Sequence, residues 1–379
     1  ADPIRIAIPK GGYAPVFSGR QATSSDRETS ELESVVAARP SRETGVPTIA
    51  VFEFEDRSDP SDDSIVAVGL TAEIIVALTQ FSDLSVVGPL KRENAGVSGF
   101  RNVLDDYGAA FALQGWLRTH GSTVRITIDL SDSATGVSMW GRTFKYDLDT
   151  TSLFEIEDAV TSQLVGAIAD GLGVIFRSLQ SESYREHIKL NDITRAILSY
   201  NYAWQTHSPQ HWSDANQDVG AALACHPDNA LLLALQANIY YADALHELNL
   251  VPDAGLKMEP LANEAVASDP RLQLAQYNLV VLHAFFGRAE ECVDTARKVV
   301  AMNPHHARVL AGCAVATASV GAYAVAKELI ERAKRLNPHY PGWYFFIDFL
   351  SAFHNQRYEE AWRCAQRIQT PGLLWQPLF

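Results

Sequence analysis

Three prolines constrain this chain more than any other feature. Pro270, Pro304 and Pro338 stand thirty-four residues apart, and Gly287 with Gly321 and Cys292 with Ala326 share that spacing. A period of this length is one helix–turn–helix unit, which cannot bury its apolar face alone and must stack on copies of itself. Each repeated residue has a mechanical task. Proline has no N–H for the helical ladder and stops the second helix of a unit. Glycine takes the turn between the helices, and the small residue lets them approach. Pro227 lies forty-three residues before Pro270, so an earlier unit carries a loop insertion around residues 249–255. A further helix pair, residues 192–225, starts the array, and the pattern restarts at Tyr358 to Ala361 with its second helix cut short before Pro371. Residues 181–379 thus read as an all-α solenoid, ending in an unfinished repeat that needs either more chain or another subunit to cap it.

The preceding stretch, residues 47–180, reads as an α+β domain. Residues 48–54 form a buried strand. Asp62 and Asp63 precede a helix with Leu70, Ile74 and Leu78 on one stripe. A second strand at 84–87 and a short helix at 100–107 follow. The period then changes to two: Phe111, Leu113, Gly115 and Leu117 face one way, and Gln114, Trp116 and Arg118 the other. After a turn at 120–122, Val124, Ile126, Ile128 and Leu130 alternate with Arg125, Thr127 and Asp129. A turn at 133–136 leads to a strand ending near Tyr146. This is an antiparallel meander with one dry face, in a mixed sheet closed by a long helix at 152–176 carrying Leu164, Ile168 and Leu172. Residues 1–17 read as a β-hairpin remnant of an upstream module, and 18–46 as a polar linker with a short helix near 30–38.

Composition narrows the function. A formal net charge of −14 disfavours broad nucleic-acid binding, though not a local basic patch. No run of eighteen apolar residues is present to span a bilayer. Cys225, Cys292, Cys313 and Cys364 lack CxxC spacing and read as buried helix-packing thiols in a reducing cytoplasm. The sequence carries no recognisable catalytic signature. Glu53, Glu55 and Asp56 follow a strand but read as solvated acids rather than a metal pair. Residues 9–12 (PKGG) are too short for a phosphate loop, and His246-Glu247 lacks the second histidine of a zinc-protease helix. His305-His306 reads as solvent-facing loop histidines, and no serine sits in a GxSxG elbow. The expectation is a non-enzyme with no metal and no cofactor.

The positive expectation is a groove. In stacked helix pairs the first helices line a concave surface that takes a peptide or helix. Counting from the prolines, its candidates are Asn238, Tyr241, Tyr277, Asn278, Phe285, Arg308 and Val315, extended by Trp343 and Phe346. Aromatics and arginine are common anchors. The positions that would correspond to the Lys/Asn/Arg clamp of tail-binding repeats are mostly apolar or small, which disfavours a carboxylate-terminated peptide.

Residues 47–54 (PTIAVFEF), 68–74 (VGLTAEI), 112–118 (ALQGWLR), 124–136 (VRITIDLSDSATG) and 337–343 (NPHYPGW) resemble one family. It is the bacterial TolB-like N-terminal domain coupled to tetratricopeptide repeats, whose period is the one seen here. Residues 2–17 are similar to the end of an N-terminal helical module of related chains. The resemblance implies a regulatory or scaffolding protein, often fused behind a cyclase or winged-helix DNA-binding domain. Its implied partner is a protein or peptide, with DNA reached only through an upstream module and a homo-oligomer possible. Some relatives carry a transmembrane helix where this chain has its polar linker, which favours the cytoplasm. Two other roles fit: the sensor half of a transcription regulator, or the regulatory region of a nucleotide cyclase.

Overall fold

The computed structural model describes residues 4–7, 16–19, 45–58, 65–91, 97–171, 173–181, 190–337 and 340–368. It divides into two compact units, Ala1–Arg39 and Pro40–Phe379. The first holds an antiparallel pair, β1 (Ile4–Ala7) and β2 (Val16–Gly19), with Ile4 opposite Gly19. The turn at 9–12 and the short helix expected near 30–38 lie outside the described residues.

The second unit begins with a mixed six-stranded sheet. Its strands are β3 (Thr48–Phe52), β4 (Glu55–Asp56), β5 (Ser85–Leu90), β6 (Phe111–His120), β7 (Thr123–Asp132) and β8 (Ser138–Asp147). The order is β5-β3-β6-β7-β8, with β4 extending the pairing on β6. β3 runs parallel to β5 and β6, whereas β6, β7 and β8 form the antiparallel meander. Parallel neighbours need crossovers, and α1 (Ile65–Thr79) and α2 (Val97–Tyr107) provide them.

Alternation along the meander sends Leu113, Leu117, Ile126, Ile128 and Leu130 into a core with Leu70, Ile74 and Leu78 of α1. α3 (Leu153–Ile168) adds Ile156, Val160 and Leu164 to it. Its start is fixed by a capping box: Ser152 Oγ accepts from Glu155 N, and Glu155 Oε2 accepts from Ser152 N. The opposite face is covered around Ala50, Phe52 and Ala112 by Val103 of α2.

The single closing helix expected over 152–176 is two helices, α3 and α4 (Val174–Gln180). The helical ladder ends at Ala169, and Gly173 N donates to Asp170 O at 2.5 Å across the break. Asp170, although drawn from a helical pattern, is pulled into the seam described below. Leu172, placed on the helix stripe by its spacing, lies outside the described residues.

Among the described residues, five helix pairs follow: α5 (Asp192–Thr206) with α6 (Pro209–Cys225), α7 (Ala230–His246) with α8 (Ala254–Ser268), α9 (Gln273–Phe285) with α10 (Ala289–Met302), α11 (Ala307–Ser319) with α12 (Tyr323–Leu336), and α13 (Phe345–His354) with α14 (Tyr358–Ala365). Gly287 and Gly321 turn the chain with φ of 69° and 84°, the left-handed region that glycine enters without steric cost. Cys292 and Ala326 are fully buried between paired helices. The longer connection between α7 and α8 carries positive φ at Glu247, Asn249 and Asp253, and is tied down by Asp243, which accepts from Leu250 N and Val251 N at 3.1 and 2.9 Å. Of the four cysteines, Cys225 is exposed at the end of α6 and Cys364 is half-buried, so only Cys292 and Cys313 are core thiols.

The sheet and the repeats share one continuous core, running from Ile49 to Ile347. At the seam, a Cβ on Gly166 of α3 would lie 2.8 Å from Leu336 O at the end of α12, so glycine permits the close approach. Asn303 Nδ2 donates to Gln80 O at 3.3 Å, and the Phe81 and His306 rings lie 5.0 Å apart. His306 is therefore not the solvent-facing loop histidine its position after Pro304 suggests. It is only 7% exposed because the loop after α1 lands on it. We predict that Gly166→Leu, which forces the seam apart, lowers stability by about 1–3 kcal/mol in chemical denaturation while leaving helix content by circular dichroism intact at low denaturant.

Candidate functional site

The first helices of the pairs, α5, α7, α9, α11 and α13, pack side by side. Their shared face is organised by amides. Asn238 of α7 accepts at Oδ1 from Tyr200 Oη (2.7 Å) and Trp204 Nε1 (3.1 Å), both on α5. Its Nδ2 donates to Asn278 Oδ1 of α9 at 2.9 Å, and Asn278 Nδ2 donates back to Ala234 O at 2.8 Å. Both asparagines are fully buried. A buried amide without partners would cost about 1–3 kcal/mol, so this ladder fixes the rotation of the helices and aims Tyr200 and Trp204 along the face.

Beside the ladder lies a pocket of about 40 Å³, lined by Trp204, His207, Tyr241, Tyr277, Gly312 and Trp343 among others. Glycine at 312 makes room for it: a Cβ there would fall on the Tyr277 hydroxyl, at 2.3 Å. Trp204 meets Trp212 and His207 edge-on, and His207 meets His246 with ring centroids 5.8 Å apart. Burial pushes His207 down to about 3, with His246 adding to the shift, and burial pushes His246 down to about 4. Both imidazoles are neutral at pH 7. Burial also lifts the Tyr241 phenol to about 12 and the Tyr277 phenol well above its usual range. The pocket is an uncharged, largely apolar cup with room for a small aliphatic group or a few waters.

A second cavity of about 30 Å³ continues from this cup past Asn238 and Leu274 to Arg308. The Arg308 guanidinium sits 4.8 Å over the Tyr200 ring. Its Nη1 is buried and has no hydrogen-bond partner among the described residues. Beyond it, at the seam, a polar cavity of about 20 Å³ is bounded by Gln80, Asp83, Asn201, Gln273, His306 and Arg308. Burial works to raise both seam acids, with opposite outcomes. For Asp170, the His306 and Arg308 contacts outweigh burial and hold the carboxyl below its usual range; for Asp83, burial prevails and the carboxyl is raised.

Six of the nine residues expected in the groove line these cavities: Asn238, Tyr241, Tyr277, Arg308, Val315 and Trp343. Asn278 is wholly buried beneath them as the end of the amide ladder. Phe285 is 46% exposed at the end of α9, edge-on to Phe286, and Phe346 is half-buried against Phe349; neither lines any of the three cavities. Tyr200, Trp204, His207 and His246 complete the surface and were not expected. They come from the first pair and from the last turn of α7, where no proline period marks the register. A signal was available, since Tyr200 and Trp204 are four apart on one helical face, as Tyr241 and Leu245 are on α7. Among the candidate acids, Glu55 is engaged by Arg57 at 2.6 Å. No three His, Cys, Asp or Glu side chains converge as a metal-binding group among the described residues. No described helix is long and apolar enough to cross a membrane.

No protein-family profile matches the chain. It is similar to the putative adenylate cyclase 3 of Rhizobium meliloti (strain 1021), 24% identical over 270 residues, covering 69% of this chain and 44% of that protein. The chain therefore spans less than half of that relative. Among solved structures, pilF of Pseudomonas aeruginosa aligns over 46% of this chain and 73% of its own at 18% identity, with a TM-score of 0.32. A lipoprotein of Neisseria meningitidis aligns over 31% and 96% at 18% identity, with a TM-score of 0.24. The PelC dodecamer from Paraburkholderia phytofirmans aligns over 32% and 87% at 12% identity, with a TM-score of 0.23. Likeness at this level carries no functional argument.

The neutral histidines make stability pH-dependent. Their folded values lie below the unfolded one near 6.5, so their stabilisation is complete above that pH and is lost as pH falls towards 4 and 3. Between pH 7 and 5 each should cost on the order of 2 kcal/mol. The denaturant midpoint should fall over this range, and H207Q/H246Q should flatten the fall.

Proposed function

We propose that the chain is a non-catalytic regulatory or scaffolding protein that holds a protein or peptide partner on the inner face of its helical repeats, with the α/β domain as a positioning module. The observation that supports this most is the continuity of the surface. An apolar cup under Trp204, Tyr277 and Trp343 leads past Asn238 to Arg308 Nη1, which has no hydrogen-bond partner among the described residues. An aliphatic side chain in the cup with an acceptor oxygen a short distance along would satisfy both, an apolar anchor beside an oriented polar group. The residues put forward as contacts are Asn238, Tyr241, Tyr277, Arg308, Val315 and Trp343.

A displayed peptide library panned on the whole chain tests this reading; a repeat-only fragment is unsuitable because the repeats share their core with the sheet. Enriched peptides should share an aliphatic anchor. Trp343→Ala, which removes one wall, and Gly312→Val, which fills the cup, should each weaken them more than about tenfold. Peptides bound equally by both variants would remove the groove from consideration.

A second reading follows from the relative's name and greater length: this chain is the regulatory region of a longer signalling protein, a cyclase among the possibilities. Under it the chain alone, given ATP or GTP with a divalent metal, forms no cyclic nucleotide, whereas turnover would contradict the non-catalytic assignment.

A further inference from the structure

The side of the meander facing away from the core carries a row of like charges. Strand register puts Arg118 of β6 directly opposite Arg125 of β7, and Arg125 opposite Lys145 of β8. Asp56 of β4 pairs with Leu117, and Arg57 N donates to Leu117 O at 2.8 Å, so Arg57 falls beside Arg118 at the end of the same row. Four cations thus cross the sheet at the strand spacing of about 4.8 Å, a line about 14 Å long.

Directly opposed like charges destabilise a sheet, and of the four only Arg57 has an ion-pair partner among the described residues. Arg118, Arg125 and Lys145 are exposed and form no ion pair among the described residues. Glu55 pairs with Arg57 at 2.6 Å. Asp129, two positions along β7 from Thr127, is taken up by Gln114, Ser131 and Ser138. Asp147, next along β8, accepts from Asp149 N at 3.1 Å.

The neighbouring row is Glu55, Trp116, Thr127 and Thr143, with the Glu55 carboxylate held by Arg57 and the two threonine hydroxyls 3.1 Å apart. The Arg57 guanidinium lies 4.9 Å over the half-buried Trp116 ring. This half of the face therefore offers cations in line, hydroxyls, and a planar guanidinium backed by an indole. It presents no exposed aliphatic side chain between Gln114 and Arg118 or between Arg125 and Asp129, and so nothing to insert into lipid or to form the dry centre of a protein interface.

Charge in line suits a phosphate backbone, and stacked planar groups suit unpaired bases. We propose that this open half-face binds single-stranded nucleic acid, with phosphates along Arg57, Arg118, Arg125 and Lys145 and a base over the Arg57–Trp116 stack. The net charge of −14 does not oppose this locally, because charges farther than about 8 Å are largely screened at physiological salt. The site is independent of the groove and does not rest on the function proposed for it.

Fluorescence anisotropy of labelled oligo-dT and oligo-rU, each of about twelve nucleotides, titrated with the whole chain, tests the assignment. Four phosphate contacts give a slope of log affinity against log salt of about −2.8. R118E/R125E, both exposed positions, should bind at least about tenfold more weakly at 0.1 M salt with the slope roughly halved. R125Q should lower the slope by about 0.7. R297E, an exposed reversal on α10, should bind as the parent does. Unfolding midpoints establish that each variant is folded. The proposal is overturned if neither oligonucleotide binds, if folded R118E/R125E binds as tightly as the parent, if a duplex of equal length binds better than the single strand, or if vesicles of phosphatidylglycerol bind where the oligonucleotides do not.

Discussion

The carboxylate of Asp170 joins the two halves of the main body. It is 1% exposed, accepts from Arg308 N at 3.1 Å, and stands 3.3 Å from His306 Nδ1. A charge that deep costs several kcal/mol unless it is paired and hydrogen-bonded, and both of these partners sit at the start of α11. The break between α3 and α4 exists where this side chain turns inward, and the Arg308 backbone that it grips carries the guanidinium facing the groove. The sheet therefore helps set the geometry of a surface built on the repeats.

The architecture was largely legible in advance. An α+β sheet followed by a helical solenoid follows from the change of hydrophobic period near residue 110 and from the spaced prolines. Those signals report local mechanics: a terminated helix, a turn, a face that must be covered. What went unread is what arrives from elsewhere in the chain. His306 looks exposed from its own neighbourhood and is buried by Phe81, more than two hundred residues away. The long helix expected through residue 176 has a good apolar stripe, but the demand on Asp170 comes from α11. Asn278 carries the polarity of a contact residue and is spent on internal bonding. The helical break and the polar seam share this cause: tertiary partners outvoted local pattern.

Two surfaces of contrasting chemistry result. The inner face of the repeats is aromatic and uncharged up to Arg308, because burial keeps both its histidines neutral. The open half of the sheet is polar and cationic on an acidic protein. A molecule complementary to one is poorly matched to the other, so occupancy of the two need not compete. The proposed functions differ accordingly, one resting on shape and apolar contact and the other on charge.

The chain of amides from Tyr200 and Trp204 through Asn238 to Asn278 has a thermodynamic consequence. It immobilises the walls of the cup before anything enters, so rotamer freedom there was surrendered during folding. A visitor meets a rigid receptor and must forfeit only its own freedom of motion, which favours short, stiff segments over long, loosely ordered ones. By the same logic, loosening that chain at Asn278, which lies beneath the cavities, should weaken capture without altering an atom that a guest would touch.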